Sequence, residues 1–236
     1  MANQRRAPAA IYQFKSSPYS SHLLLLESLP LKGDGRRVLD VGCGNGHLGR
    51  LLSARGYAVT GIESENGVDI NFPDNVHLLI ADLDVGGLPP LTGMFDYVLC
   101  ADILEHLRDP ESLLRDLRKH IAPGGTLFAS LPNSGHLYFR LNVLCGRFPQ
   151  HERGLFDRTH VRFFTWAGWN AVFNSAGFRI TRVRATAVPV GLALPRWESS
   201  SFVRGAERLS YYLARIWKTM FAYQFVVEAR GLPEGR

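Results

Sequence analysis

A chain of 236 residues, 46% hydrophobic and 20% charged, is long enough for one domain with a real core; it excludes both a disulfide-stapled miniprotein and a disordered segment. No apolar run approaches the ~18 residues of a spanning helix, and no apolar stretch follows Arg5 and Arg6, so no membrane span or secretory signal is expected. The net charge is +6, and the three cysteines (Cys43, Cys100, Cys145) lack the paired spacing of zinc or redox sites, which points to a reduced, cytoplasmic compartment.

In chain order, residues 1–10 read as a frayed arm, and Ser20 to Leu29 as a helix stopped by Pro30. Short apolar runs follow at Val38–Val41, Ala58–Ile62, His77–Ile80, Tyr97–Cys100 and Thr126–Leu131, with helical patterns at His47–Ala54 and Pro110–Ile121 between them. Near-continuous apolar strands that alternate with helices imply parallel strands covered on both faces, a doubly wound α/β sheet. Asp109 can cap the helix that starts at Pro110, Leu113, Leu114, Leu117 and Ile121 form its stripe, and Pro123-Gly124-Gly125 turns the chain into the next strand. Residues 134–164 form a connection long enough to be functional. A helix over Thr165–Asn174 precedes two final strands, Phe178–Val183 and Phe221–Ala229.

Between those strands lies a basic helical insertion, residues 185–218. From Arg179 to Lys218 eight basic residues face only Glu198 and Glu207. Leu209, Tyr212, Leu213, Ile216 and Trp217 fall on one helical face. Such a face can pack on the domain or lie in a membrane interface. Because the segment must return to the sheet, it is expected to pack, forming one wall of an acceptor pocket, with peripheral membrane contact as the alternative.

The central motif is Leu39-Asp40-Val41-Gly42-Cys43-Gly44-Asn45-Gly46, a buried strand entering a glycine turn before a helix. In open α/β sheets this is where a nucleotide-type ligand sits. Glu63 ends the next strand, where a carboxylate can accept hydrogen bonds from ribose hydroxyls. Gly44 to Gly49 also matches the dinucleotide fingerprint, but Asp40 would set like charge against a pyrophosphate. It suits a ligand that carries an ammonium and no phosphate. Asp82 and Asp84, after the third strand, suit recognition of an adenine amino group.

These segments, followed by Ala81-Asp82-Leu83, the stretch Phe95 to Leu107 containing Asp102-Ile103-Leu104-Glu105-His106, and Pro123-Gly124-Gly125-Thr126-Leu127, resemble class I S-adenosylmethionine-dependent methyltransferases. The resemblance covers roughly residues 12–183 and is nearest in character to the ubiquinone-biosynthesis O-methyltransferases. It implies a Rossmann-like, mostly parallel seven-stranded sheet with an antiparallel last strand and helices on both faces. It divides the chain into an N-terminal lid or strap (1–30) and a methyltransferase domain (31–236). It also implies S-adenosylmethionine as cofactor. Asp40, Gly42, Gly44 and Gly46 would hold the methionine end, Glu63 the ribose and Asp82 the adenine. Leu83 would pack on the adenine, and Asp102 would lie near the methyl group. Ile11-Tyr12-Gln13-Phe14, with Tyr19 and His22, would fold over the cofactor or strap the sheet.

Methyl transfer from a sulfonium needs alignment, exclusion of water and, for a hydroxyl or amine acceptor, a base. The candidate bases are His160 and His106. His136 and His151 sit in the same connection as His160. Asp157 and Arg158 could instead form a local ion pair. No second acidic pair completes a metal site beside Glu105 and His106, so no metal is expected. The acceptor reading is a small molecule, lipid-linked or glycan precursor, methylated at oxygen. A nucleic-acid enzyme or binder is the alternative through the basic segment. It is disfavoured because the residues after the fourth strand lack the Asn/Asp-Pro-Pro-aromatic signature of base amino-methylation. A cofactor-binding scaffold without catalysis is the third possibility.

Overall fold

The computed structural model describes residues 15, 17–68, 72–197 and 200–233. Ile11-Tyr12-Gln13-Phe14 lie outside them, so the proposed lid is represented by Lys15, Ser17–Ser20 and the helix that follows. Seven strands form one sheet: β1 (Arg37–Val41), β2 (Ala58–Glu63), β3 (His77–Ile80), β4 (Phe95–Ala101), β5 (Ile121–Pro132), β6 (Phe178–Ala185) and β7 (Gln224–Gly231). Their order is β3-β2-β1-β4-β5-β7-β6. The first five are mutually parallel, and β7 inserts antiparallel between β5 and β6. The expected fold class holds.

Alternate residues of β1 feed two cores. Leu39 and Val41 join the layer built with α3 (Pro110–Arg118) and α5 (Trp166–Ser175). Val38 joins the layer built with α1 (Ser21–Ser28) and α2 (His47–Ala54). Burial on both faces explains why these strands read as continuous apolar runs. In α1, Leu24, Leu25 and Leu26 are buried, so this part of residues 1–30 straps the sheet. The sheet changes direction between β1 and β4. The crevice at that switch point, beyond the strands' carboxyl ends, is the ligand position in open α/β folds.

Three boundaries differ from the sequence reading. The helix α3 ends at Arg118, and Ile121 already pairs with Phe95 of β4, so β5 begins before Pro123-Gly124-Gly125. The connection 134–164 contains a helix, α4 (Leu137–Leu144). The last strand starts at Gln224, because Lys218–Phe221 form a short helical turn. That turn is fastened from outside: Asn133 Nδ2 donates to the carbonyls of Thr219 (3.3 Å) and Ala222 (2.8 Å).

The basic insertion forms α6 (Val190–Ala193), α7 (Ser201–Ile216) and the turn α8 (Lys218–Phe221). The expected packed face is corrected. The residues that α7 buries are Val203, Glu207 and Ala214, whereas Leu209, Tyr212, Leu213, Ile216 and Trp217 are exposed. The reason is local: Glu207 is held by Ser17 Oγ (2.7 Å) and the Gly191 amide (3.0 Å), which turns its side of the helix inward.

Candidate active site

The glycine turn leaves β1 in left-handed backbone, with Gly42, Gly44 and Gly46 at φ 70°, 52° and 68°. At Gly42 a Cβ would stand 2.7 Å from the Ile103 side chain, so the turn can approach the end of β4 only as glycine. At Gly44 a Cβ would meet nothing within 4 Å; this glycine borders open space. Glu63 closes the other side. Its Oε2 accepts from the Gly44 amide (2.7 Å) and its Oε1 from the Ser64 amide (2.8 Å) and hydroxyl (3.1 Å). A carboxylate offers about four acceptor positions, so at least one remains for a ribose hydroxyl.

Asp40 is 1% exposed, and neither carboxylate oxygen has a hydrogen-bond partner among the described residues. Burial, reinforced by the charge of Glu63, pushes its carboxyl up to about 7. A buried carboxylate without a partner is costly. It is relieved by a cation brought in with a ligand, which is what the ammonium and sulfonium of S-adenosylmethionine provide. The donor set therefore fits that cofactor.

Asp82 and Leu83 follow β3. Asp82 is exposed and its Oδ1 accepts from the Asp84 amide (3.0 Å). Asp84 accepts from the amide of Arg108 (2.8 Å), which ties this loop to the loop after β4. Leu83 is half-buried, with one side packed against the main core.

Asp102, at the tip of β4, has φ 54°, a strained value for a non-glycine residue. It gathers a network that the sequence did not reveal. The Lys15 ammonium pairs with its Oδ2, and the Gln224 amide (2.8 Å) and the Ser130 hydroxyl donate to its Oδ1. Burial alone would raise its pKa, but the Lys15 charge outweighs it and holds the carboxyl well below the usual range. Lys15 also donates to Ser21 Oγ (3.2 Å) and Gln224 Oε1 (3.3 Å), so the strap is locked to the site. Nothing in a sequence pattern joins residues 15, 102, 130 and 224.

One turn beyond Asp102, the end of the 134–164 connection docks. The amides of Val161 and Arg162 donate to the Glu105 carbonyl (3.0 and 3.1 Å). This brings together the two histidines expected to be catalytic: the rings of His106 and His160 lie 4.8 Å apart, edge to face. His160 Nε2 is 3.8 Å from Glu105 Oε1. Burial and the neighbouring His106 push His160 down to about 4, while burial and the charge of Asp102 push Glu105 well up. At neutral pH His160 is an unprotonated imidazole. Its Nδ1 and Glu105 Oε2 are buried without hydrogen-bond partners among the described residues. His160 is also the third donor that the sequence reading lacked beside Glu105 and His106: their ligand atoms lie within 4.8 Å of one another and could hold a divalent cation. His106 Nδ1 faces the Thr159 carbonyl at 3.2 Å, which favours a proton there and a free Nε2.

Beside this cluster stands an aromatic wall. Phe139 stacks on Phe156 (4.4 Å), Phe148 meets Phe156 and Phe163 (5.2 Å each), and Phe163 reaches His160 (6.0 Å). The other expectations in this connection change. Asp157 accepts from the Thr159 amide and hydroxyl, and Arg158 pairs with Glu152 (2.9 Å), so the Asp157–Arg158 pair does not form. His136 caps α4 by accepting from the Tyr138 amide, and His151 is exposed.

A model of the methyltransferase-domain family matches residues 15–183. The chain therefore belongs to that family and is a class I S-adenosylmethionine-dependent methyltransferase, with S-adenosylmethionine as its cofactor. In more particular terms, it is similar to the ubiquinone biosynthesis O-methyltransferases of Pseudomonas entomophila (32% identity over 47% of this chain and 50% of that one) and Chromobacterium violaceum (36%, 47% and 50%). It spans about half the length of these relatives. Among solved structures, YcgJ of Bacillus subtilis superposes with a TM-score of 0.60 at 17% identity, covering 91% of this chain and 99% of that one. Phosphoethanolamine N-methyltransferase 2 of Haemonchus contortus, in complex with S-adenosyl-L-methionine, gives 0.60 at 19% identity, covering 90% and 52%. At these identities the structures show the shared fold.

Removing the Glu63 carboxylate tests the ribose assignment. Glu63→Ala is expected to weaken S-adenosylmethionine binding by about 1.5–3 kcal/mol, the loss of charge-assisted hydrogen bonds. Titration calorimetry reads it directly, and parental affinity in the variant would remove Glu63 from the cofactor site.

Proposed function

We propose that the chain transfers the methyl group of S-adenosylmethionine to an oxygen of a small-molecule, lipid-linked or glycan-type acceptor. The observation that carries this reading is the covered imidazole of His160 beside Glu105 and His106, on the segment that follows β4 and Asp102. The bound cofactor supplies a sulfonium methyl whose departure leaves a neutral thioether. The residues of the chain do the rest. Asp40 fixes the methionine end of the cofactor and Glu63 its ribose. Asp102, held by Lys15, Ser130 and Gln224, sets the floor beneath the transferring group. A ring nitrogen of His160 takes the acceptor's hydroxyl proton as the new O–C bond forms, and the aromatic wall excludes water and favours a flat or apolar acceptor. The likeness to ubiquinone biosynthesis O-methyltransferases supports oxygen as the acceptor atom.

The test is an extract of small metabolites and lipids incubated with the protein and S-adenosylmethionine, read by mass spectrometry. A product heavier than its parent by one methyl group, absent with boiled protein, is the expected outcome. Methylation confined to added RNA or DNA would favour a nucleic-acid substrate. Cofactor binding without any methylated product would favour a scaffold.

A further inference from the structure

Among the described residues, the apolar stripe of α7 has no partner in the fold. Phe202, Leu209, Leu213 and Ile216 follow one another at spacings of seven, four and three, which places them on a single face. Phe202 is 74% exposed and Ile216 83%. Trp197 and Trp217 flank the helix at its two ends and are 62% and 54% exposed. Arg204, Arg208 and Arg215 share the adjacent flank, at helical spacings of four and seven, and all three are exposed. The helix has one acid, Glu207, and it is buried against Ser17 and Gly191. From its own residues, the solvent side of α7 therefore carries apolar groups, aromatic ends and positive charge.

We propose that α7 docks the protein on an anionic membrane surface. This goes beyond the methyl-transfer reading and does not depend on it. An interfacial helix needs an apolar face to enter the headgroup boundary, amphipathic aromatics to sit at it, and cations to meet acidic lipids; α7 has all three. A second copy of the chain fits poorly. A two-fold pairing of this face would set the arginine flanks of both copies in the same contact, with no exposed acid on either helix to answer them. The position is also suited to delivery of a lipid-soluble acceptor. The helix α7 follows β6, and just past the end of that strand the Thr186 amide donates to the Gln224 carbonyl (3.0 Å) and the Thr186 hydroxyl accepts from the Gln224 amide (2.9 Å), Gln224 being the residue that holds Asp102. Tyr19 of the strap stacks on Tyr211 of α7 (4.5 Å). The opening of α4, another helix with exposed apolar residues such as Leu141 and Leu144, lies beside the turn after α7, where Asn133 grips it.

The experiment is cosedimentation of the full chain with phosphatidylcholine vesicles containing increasing phosphatidylglycerol. The bound fraction should rise with phosphatidylglycerol and fall as salt is added, because the attraction is screened within about 8–10 Å. Phe202→Glu with Ile216→Glu should abolish binding. Arg204→Gln, Arg208→Gln and Arg215→Gln should each lower affinity for the acidic vesicles by about fivefold and leave the weak affinity for neutral ones unchanged. All five positions already face water, so these variants retain the fold. Absence of pelleting with acidic vesicles at low salt would overturn the proposal. So would pelleting that the Phe202/Ile216 variant leaves intact, or a dimer in light scattering that this variant dissolves while vesicles bind neither form. Because binding is read without turnover, these results stand apart from the acceptor assay.

Discussion

Replacing His160 with alanine is expected to lower turnover by about 10²–10⁴-fold, the usual contribution of a positioned general base, while S-adenosylmethionine affinity stays at the parental value. The two readouts separate because His160 belongs to the 134–164 connection, whereas the proposed cofactor contacts come from β1, β2 and the loop after β3. His106→Ala should cost less, since that ring faces the Thr159 carbonyl and orients the pair. Burial and His106 hold His160 near 4, so its base form prevails throughout the neutral range. Turnover should therefore be insensitive to pH from about 6 to 8 as far as this group is concerned, and fall only as the imidazole gains a proton toward pH 4. Parental turnover in the His160 variant would move the role to His106 or leave the transfer without a base. A chelator arm distinguishes two uses of the same cluster. Turnover that survives EDTA keeps His160 as a base; turnover lost to EDTA and restored by a divalent cation makes Glu105, His106 and His160 a metal site.

What the sequence disclosed and what it hid divide along physical lines. The parallel half of the sheet was legible because strands buried on both faces leave long apolar runs, and because only glycines can make the turn after Asp40. Asp40 itself was legible as a charge in the wrong place for a pyrophosphate. The structure adds that it is buried and unpartnered. His106 and His160 were each singled out, but their meeting depends on two backbone hydrogen bonds to the Glu105 carbonyl across more than 50 residues. Lys15 on Asp102 spans 87 positions, and no local pattern encodes it. Phe221, Ala222 and Tyr223 resemble strand residues, yet the last strand begins only at Gln224, because the Asn133 side chain holds the turn before it. The helix α7 misled for a different reason. A stripe at helical spacing usually marks the buried face, and here the helix turns its small residues and its one acid inward.

Binding of S-adenosylmethionine is expected to tighten about tenfold as pH rises from 5.5 to 7. The argument rests on Asp40. Burial and Glu63 raise its carboxyl to about 7, so below that pH the cofactor-free protein holds it largely protonated. A cationic ligand favours the ionised form, which places the bound-state pKa lower than the free-state one. Between those two values binding releases a proton, and the affinity must increase with pH. Above about 7 the gain ends, because Asp40 is already charged before the ligand arrives. Near and above pH 8 the ligand's own α-amino group loses its proton, which reverses the trend. Asp40→Asn cannot ionise. Its affinity should be weaker than the parent's at pH 7 by about 1.5–3 kcal/mol and flat between pH 5.5 and 7. Calorimetry in two buffers of different ionisation enthalpy adds a second reading, since the released proton changes the apparent heat in the parent and should not in the variant. A parental affinity that does not vary over this range, or an Asp40→Asn variant that keeps the slope, would mean that the carboxylate faces away from the cofactor's charge. The buried group at the end of β1 would then be a destabilising feature that the ligand does not relieve.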